Sequence, residues 1–275
     1  MTDSVRSTGF IADPGPHLYH AFKATHPAAL KPRTMALPSS VSLLEFAPPI
    51  QDQDGIGECV GRAMASALYT CLGSKGAPPR APLSARMAYA LAREIDRAGI
   101  TPVGHDLPPL VDSGCAPNQA ARAIVKYGLA DVYDVDGGSL AAQPDKACAD
   151  LLLGEMEACH ARRFPMLTWT SVEDDAEGKA ELAMQALAAG YPLVYAVDAS
   201  TPDFQQYDGG GNLLLTGYGY DHMQYAVAYR TVGASLVEFL EVNSWGESWG
   251  DKGCGWISAD DFQNRTSNLL IPRLS

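Results

Sequence analysis

The sequence predicts an α+β fold of two lobes with a cleft between them. Apolar residues recur at spacings of three and four along the first half, as in helices. In the second half they alternate or run in short blocks, as in strands. A chain of 275 residues with 47% hydrophobic content can bury a sizeable core, as one large domain or two small lobes. No internal repeat interrupts this order, and the alanine enrichment is ordinary helix composition.

The elements follow in turn. Residues 1–50 hold seven prolines and little periodicity. Residues 1–36 therefore read as an extended N-terminal segment, with apolar anchors at Phe10, Ile11, Leu18, Tyr19 and Phe22 that should pack on the body of the molecule. Residues 37–275 read as the folded domain. From Cys59, the positions Val60, Met64, Ala67, Leu68 and Cys71 carry a helical stripe. A second helix is expected over 82–99, with Ser84 as N-cap and Gly99 as stop. A third is expected over 116–128, closed by Gly128. Ala-rich helices are predicted near 144–163 and 176–189. Strands are expected over 191–200, 223–230 and 235–245, a turn at 207–212, and the start of a last strand at 253–258.

Composition excludes several classes of partner. The net charge of −12 argues against nucleic acid and anionic membrane surfaces, which select basic faces. The N-terminus lacks the apolar run of a signal peptide, and no stretch approaches the roughly 18 apolar residues of a membrane span. The expected location is the cytoplasm, or outside it (a virion included) by a route without a cleavable signal. Six cysteines, at positions 59, 71, 115, 148, 159 and 254, form no C-x2-C pair, so no zinc site is expected.

Function has to be read from "QDQDGIGECV", residues 51–60. It places a thiol at the first turn of a helix, where unpaired N–H groups and the helix dipole favour an anion. A cysteine is a nucleophile as thiolate, and a nearby imidazolium would favour that form further. Of six histidines, His17, His20 and His26 lie in the proline-rich segment and His160 among basic residues of an Ala-rich stretch. His222 differs, standing at the start of an apolar strand where it can face a cleft or fill a core. An amide that fixes its tautomer is available in Asn243, with Trp245 two residues on to keep that hydrogen bond dry. Gln53 can donate to a developing oxyanion together with the backbone N–H of Cys59.

These segments resemble the papain-like cysteine peptidases. "QDQDGIGECV" is similar to the nucleophile segment of that family, with glutamine six residues and glycine two residues before the cysteine. "DHMQYAVAY" is similar to its histidine segment, and "NSWGESWGDKGCGW" to its Asn-Ser-Trp-Gly signature. "ALAAGYPLVYAVDAS" and "LPSSVSLLEFAPPIQDQ" are similar to its helix-to-strand segment and to the opening of its mature domain. The likeness spans about residues 37–265 and is strongest to short bacterial members, which share a helix ending like Lys126-Tyr127-Gly128. It implies a helical N-terminal lobe, an antiparallel barrel-like C-terminal lobe and a cofactor-free peptidase acting through a thioester. Cys59 is then the nucleophile, His222 the base and acid, Asn243 its orienting partner, Gln53 an oxyanion donor and Trp245 a shield. Gly114 and Asp221 are the candidates for substrate binding.

The sequence also departs from the family. Val60 stands where tryptophan is usual, and Ile56 where the family has a cysteine whose disulfide partner corresponds to Cys115. Cys115 is therefore expected to be a free thiol. Glu58 precedes the nucleophile, where its charge would oppose a thiolate or narrow the cleft. Fewer than 40 residues precede the mature-like opening, so inhibition is expected from this short arm or a partner. The implied partner is a peptide or protein substrate. Two alternatives stay open: an aminopeptidase or other amidase on the same fold, and a weak or inactive papain-like subunit of a larger assembly such as a secretion system or phage particle. Transglutaminase-type transfer matches the Asn-Ser-Trp-Gly block poorly.

Overall fold

The structure is a computed structural model that describes residues 37–100, 112–135, 164, 166–172, 177–205, 212–233 and 235–274. The expectations for residues 1–36 and 144–163 lie outside the described residues, as does nearly all of the turn at 207–212.

After a short strand β1 (Ser40–Ser42), the first half is helical: α1 (Cys59–Ser74), α2 (Ala85–Ile100), α3 (Pro117–Tyr127) and the single turn α4 (Val132–Val135). The second half carries β2 (Leu167–Val172), α5 (Lys179–Ala188), β3 (Leu193–Val197), β4 (His222–Val232), β5 (Leu236–Val242), β6 (Cys254–Ser258), α6 (Ala259–Arg265) and β7 (Ser267–Leu274). Strands β2, β7, β3, β4, β5 and β6 lie in that order in one antiparallel sheet, and β1 pairs with the far end of β4. The predicted α+β order holds.

Helix α1 is the axle of the molecule. Fourteen of its 16 residues are buried, as expected of a helix that runs through a core rather than over it. It packs on α2 on one side and on β4 on the other, within one hydrophobic core shared by both halves. Gly61 makes the α1–α2 crossing possible: a Cβ there would lie 2.5 Å from the Ala85 carbonyl oxygen. Ser84 caps α2 as expected, its hydroxyl accepting from Met87 N at 3.0 Å. Gly128, at φ +81°, closes α3 by donating its N–H to Ile124 O.

Several boundaries differ from expectation. Helix α2 does not stop at Gly99 but continues to Ile100, and α5 starts at Lys179 rather than near 176. The strand at 254–258 is not the last, because α6 and β7 follow it. Ser258 caps α6 by accepting from Asp261 N, a Ser-x-x-Asp pattern that marks a helix start. The paired strands β2 and β7 were not anticipated. Their apolar positions alternate over only a few residues, which separates poorly from loop in sequence. Among the described residues no helix is long and apolar enough to cross a membrane.

Candidate active site

Cys59 is the first residue of α1, and the first helical bond runs from Arg62 N to Glu58 O at 2.9 Å. His222 is the first residue of β4, the strand on which α1 packs. Both side chains are buried. Asn243 follows directly on β5, beside β4 in the sheet.

The tautomer of His222 follows from its neighbours. Asn243 Oδ1 accepts from Ser244 N at 2.7 Å, which identifies that atom as the oxygen. The same oxygen lies 2.8 Å from His222 Nε2, so Nε2 carries the proton and donates it. Nδ1 is then the bare nitrogen, buried without a hydrogen-bond partner. Burial pushes His222 down to about 4, against a smaller upward pull from the Asn243 bond. The imidazole is thus neutral at pH 7, in the form that can take a proton.

Aromatic rings wall this pair. Trp245 lies over His222 with centroids 4.7 Å apart, and Phe204 meets Trp245 edge-on at 5.3 Å and His222 at 6.3 Å. Trp249 stacks on Phe204 at 5.7 Å. Such rings exclude water and strengthen the hydrogen bond they cover. Phe204 comes from the short 3₁₀ turn Pro202–Gln205, and no local pattern in the sequence marks it.

Gln53 is buried and held at three points. Its N–H donates to Ser244 O at 2.8 Å, its Oε1 accepts from Ser244 Oγ at 2.5 Å, and its Nε2 gives one proton to Ile56 O at 2.8 Å. The amide orientation is therefore fixed, with nitrogen toward the loop that leads to Cys59.

Glu58 does not act as expected. Its carboxylate pairs with Arg62, Nε donating to Oε1 at 2.9 Å, in a nearly buried ion pair. Arg62 also donates to Gln51 Oε1 at 3.2 Å. The charge next to Cys59 is thus compensated one helical turn along, and the i,i+4 spacing of Glu58 and Arg62 was the signal for it.

The loop before Cys59 is also tied to the loop carrying Gly114. Asp112 accepts from Gly57 N at 3.0 and 3.2 Å and from Tyr89 OH at 2.6 Å, and Tyr89 OH accepts from Gly114 N at 3.0 Å. Gly114 therefore spends its N–H inside the protein, and its carbonyl accepts from Ser113 Oγ at 3.4 Å. Asp221 accepts from Ala199 N at 2.8 Å, and burial, with Asp198 nearby, raises its pKa. Cys59, Cys71, Cys115 and Cys254 are free thiols, so the expectation for Cys115 holds. Cys148 and Cys159 lie outside the described residues.

Comparison with known proteins points one way. The family model described as papain family cysteine protease matches residues 113–268. That stretch contains Gly114, Asp221, His222, Asn243 and Trp245, while Gln53 and Cys59 precede it. The cysteine endopeptidase RepA of Oryza sativa subsp. japonica is 36% identical over 80 residues, 29% of this chain and 21% of that protein. Cathepsin L of Sarcophaga peregrina is 32% identical over 100 residues, 35% of this chain and 30% of that protein. The matched stretches thus span about a fifth to a third of these relatives. Among solved structures, xylellain, a cysteine protease from Xylella fastidiosa, aligns over 98% of this chain and 97% of its own with a TM-score of 0.68 and 18% identity. Bromelain from Ananas comosus aligns over 87% of this chain and 100% of its own with a TM-score of 0.62 and 20% identity. At these identities the structural likeness is one of fold.

Proposed function

The chain belongs to the papain family of cysteine proteases, and from that membership we propose that it hydrolyses peptide bonds with Cys59 as nucleophile, His222 as base and acid, Asn243 as orienting group and Gln53 as oxyanion donor. The observation that carries this reading is the buried His222–Asn243 bond under Trp245, which leaves Nδ1 unprotonated and without a partner.

In the first step the Cys59 thiol proton passes to His222 Nδ1, and the thiolate attacks the substrate carbonyl carbon. The negative charge that gathers on the carbonyl oxygen is met by the second Gln53 Nε2 proton and the Cys59 backbone N–H. The C–N bond then breaks as His222 gives its proton to the departing amine, leaving a thioester on Cys59. Water attacks that thioester, its proton going to His222 Nδ1 and its oxygen to the carbonyl carbon. The C–S bond breaks, and the proton returns to sulfur. Throughout, Asn243 keeps Nε2–H engaged, so that Nδ1 remains the working nitrogen.

The test is a peptide library incubated with wild type and with Cys59→Ala. Cleavage by wild type alone supports the reading, and the product ends report whether cleavage is internal or terminal. Equal cleavage by Cys59→Ala overturns it.

A further inference from the structure

Beyond the four residues above, a second buried polar chain runs through the sheet. Strand geometry creates it. Successive side chains on a strand alternate faces, so Gln224 falls on the face of His222 and Glu241 on the face of Asn243. The ladder sets Tyr195 of β3 directly opposite Gln224 of β4. Tyr195, Gln224 and Glu241 are all buried.

The amide of Gln224 is oriented by its partners. Its two ends are satisfied together only with nitrogen toward Glu241 and oxygen toward Asn243. In that orientation Nε2 donates to Glu241 Oε2 at 2.8 Å, and Oε1 accepts from Asn243 Nδ2 at 3.1 Å. Tyr195 OH donates to the same Glu241 oxygen at 3.1 Å. The chain therefore reads Tyr195, Glu241, Gln224, Asn243, His222, with each donor and acceptor assigned.

We propose that Glu241 and Gln224 are positioning residues for His222, acting through Asn243. This inference rests on the roles given to His222 and Asn243 above. Glu241 Oε2, which also accepts from Tyr195 OH, faces Gln224 as an acceptor even when the carboxyl holds its proton on the other oxygen, and this fixes the nitrogen of Gln224 toward it. Gln224 must then present its oxygen to Asn243. Asn243 must give its nitrogen to Gln224, and its oxygen remains for His222 Nε2–H. A reversal at Gln224 would set two NH2 groups against each other at Asn243, a conflict that turning the Asn243 amide relieves at the cost of the His222 bond. Burying a carboxyl and an amide between two strands is expensive unless both are fully hydrogen-bonded. Two apolar side chains would fill the same space without that cost, so the pair contributes orientation rather than packing.

The experiment compares Gln224→Leu, Glu241→Met, the double substitution and Glu241→Gln, which keeps an acceptor toward Gln224. Activity is expressed per active site titrated with a thiol-directed inhibitor. The expected result is roughly tenfold lower kcat at unchanged KM for the first three, with most of the loss recovered in Glu241→Gln. A second readout needs no turnover: the His222 ring N–H resonance and its exchange with water, measured by NMR in a Cys59→Ala background. Gln224→Leu should broaden that resonance and speed its exchange. A role in packing alone would change melting temperature and the fraction of active sites while leaving kcat per site and the ring N–H as in wild type, and that outcome overturns the inference. Should wild type cleave no peptide, the functional reading fails, and the NMR measurement still decides whether Gln224 orients His222.

Discussion

Ser244 donates its hydroxyl to Gln53 Oε1 at 2.5 Å across 191 positions of sequence. The bond joins the loop leading into α1 to the strand end that carries Asn243. It makes one unit of two groups to which the proposed mechanism gives separate tasks, Gln53 as oxyanion donor and Asn243 as orienter of the imidazole. Ser244→Ala would leave a buried amide oxygen without this partner, at a cost of about 1–3 kcal/mol. Thermal unfolding should show that loss, and kcat should fall several-fold while KM stays near its wild-type value.

The pH profile follows from His222. Hydrolysis needs its neutral form, so activity is lost as pH falls through its pKa. Burial pushes that value down to about 4. The acid limb of kcat/KM should therefore fall near pH 4, well below the 6.5 of an ordinary histidine. Asn243→Ala removes the interaction that raises the value and should lower kcat by roughly 10- to 100-fold without abolishing it, because in the proposed mechanism Asn243 orients and takes no part in covalent chemistry. An acid limb at 6.5 would count against a desolvated base.

Thiol reactivity should separate Cys59 from the rest. Burial pushes Cys71 up to about 12 and Cys254 up to about 11. The Cys254 thiolate is then on the order of one part in ten thousand at pH 7. A Cys59 served by His222 and a helix N-terminus should react with iodoacetamide at pH 6 far faster than either. That excess should collapse in His222→Ala. Residue-resolved mass spectrometry over a pH series measures it, and equal rates for Cys59 and Cys254 would show that the pair is not assembled.

Glu241 should give the fold an unusual pH dependence. Burial raises it from 4.5 to about 8, against an opposing bond from Tyr195. The native state then holds a proton between those values that the unfolded chain has lost, so stability falls as pH rises through this window and levels off above about 8. His222, lowered from 6.5 to about 4, acts in the opposite sense, its contribution growing as pH rises from 4 to 6.5. The two oppose each other in acid, and from 6.5 to 8 the Glu241 slope stands alone. Chemical denaturation at several pH values should show wild type losing stability over that range, on the order of 1 kcal/mol per pH unit. Glu241→Gln should remove the slope.

The Glu58–Arg62 pair predicts strong non-additivity. Arg62→Met leaves Glu58 charged and buried without its partner, at a cost of about 3–5 kcal/mol. Adding Glu58→Ala should return much of that loss. Denaturant unfolding of both single variants and the double variant measures the coupling.

Much of the site was legible because its chemistry lies in contiguous motifs. The glutamine and cysteine of "QDQDGIGECV", the histidine at a strand start and the Asn-Ser-Trp-Gly block each announce themselves locally. Phe204 could not be found this way, since the ring that walls His222 comes from a separate turn with no motif around it. Gln224 and Glu241 were open to reading: each lies two positions from a residue already singled out, and on a strand that spacing means the same face. A polar residue inside an apolar run nevertheless carries no local signal until its partner across the sheet is known. Strand register, which creates that partnership, is fixed by the whole sheet rather than by a local pattern. Strands β2 and β7 escaped for the same reason, being held by each other at long range.

The tie between Asp112, Tyr89, Gly57 and Gly114 joins the two loops that the family resemblance would bridge with a disulfide, where Ile56 and a free Cys115 stand instead. A wall of the cleft made this way needs no electron acceptor to form. It assembles at the rate of folding and does not wait on thiol oxidation. A reductant has nothing there to cleave, and a chain that unfolds has no mispaired bridge at this point to undo. What is given up is the covalent restraint on the unfolded chain that a crosslink supplies, so this part of the cleft holds only as long as the surrounding core keeps its loops in place.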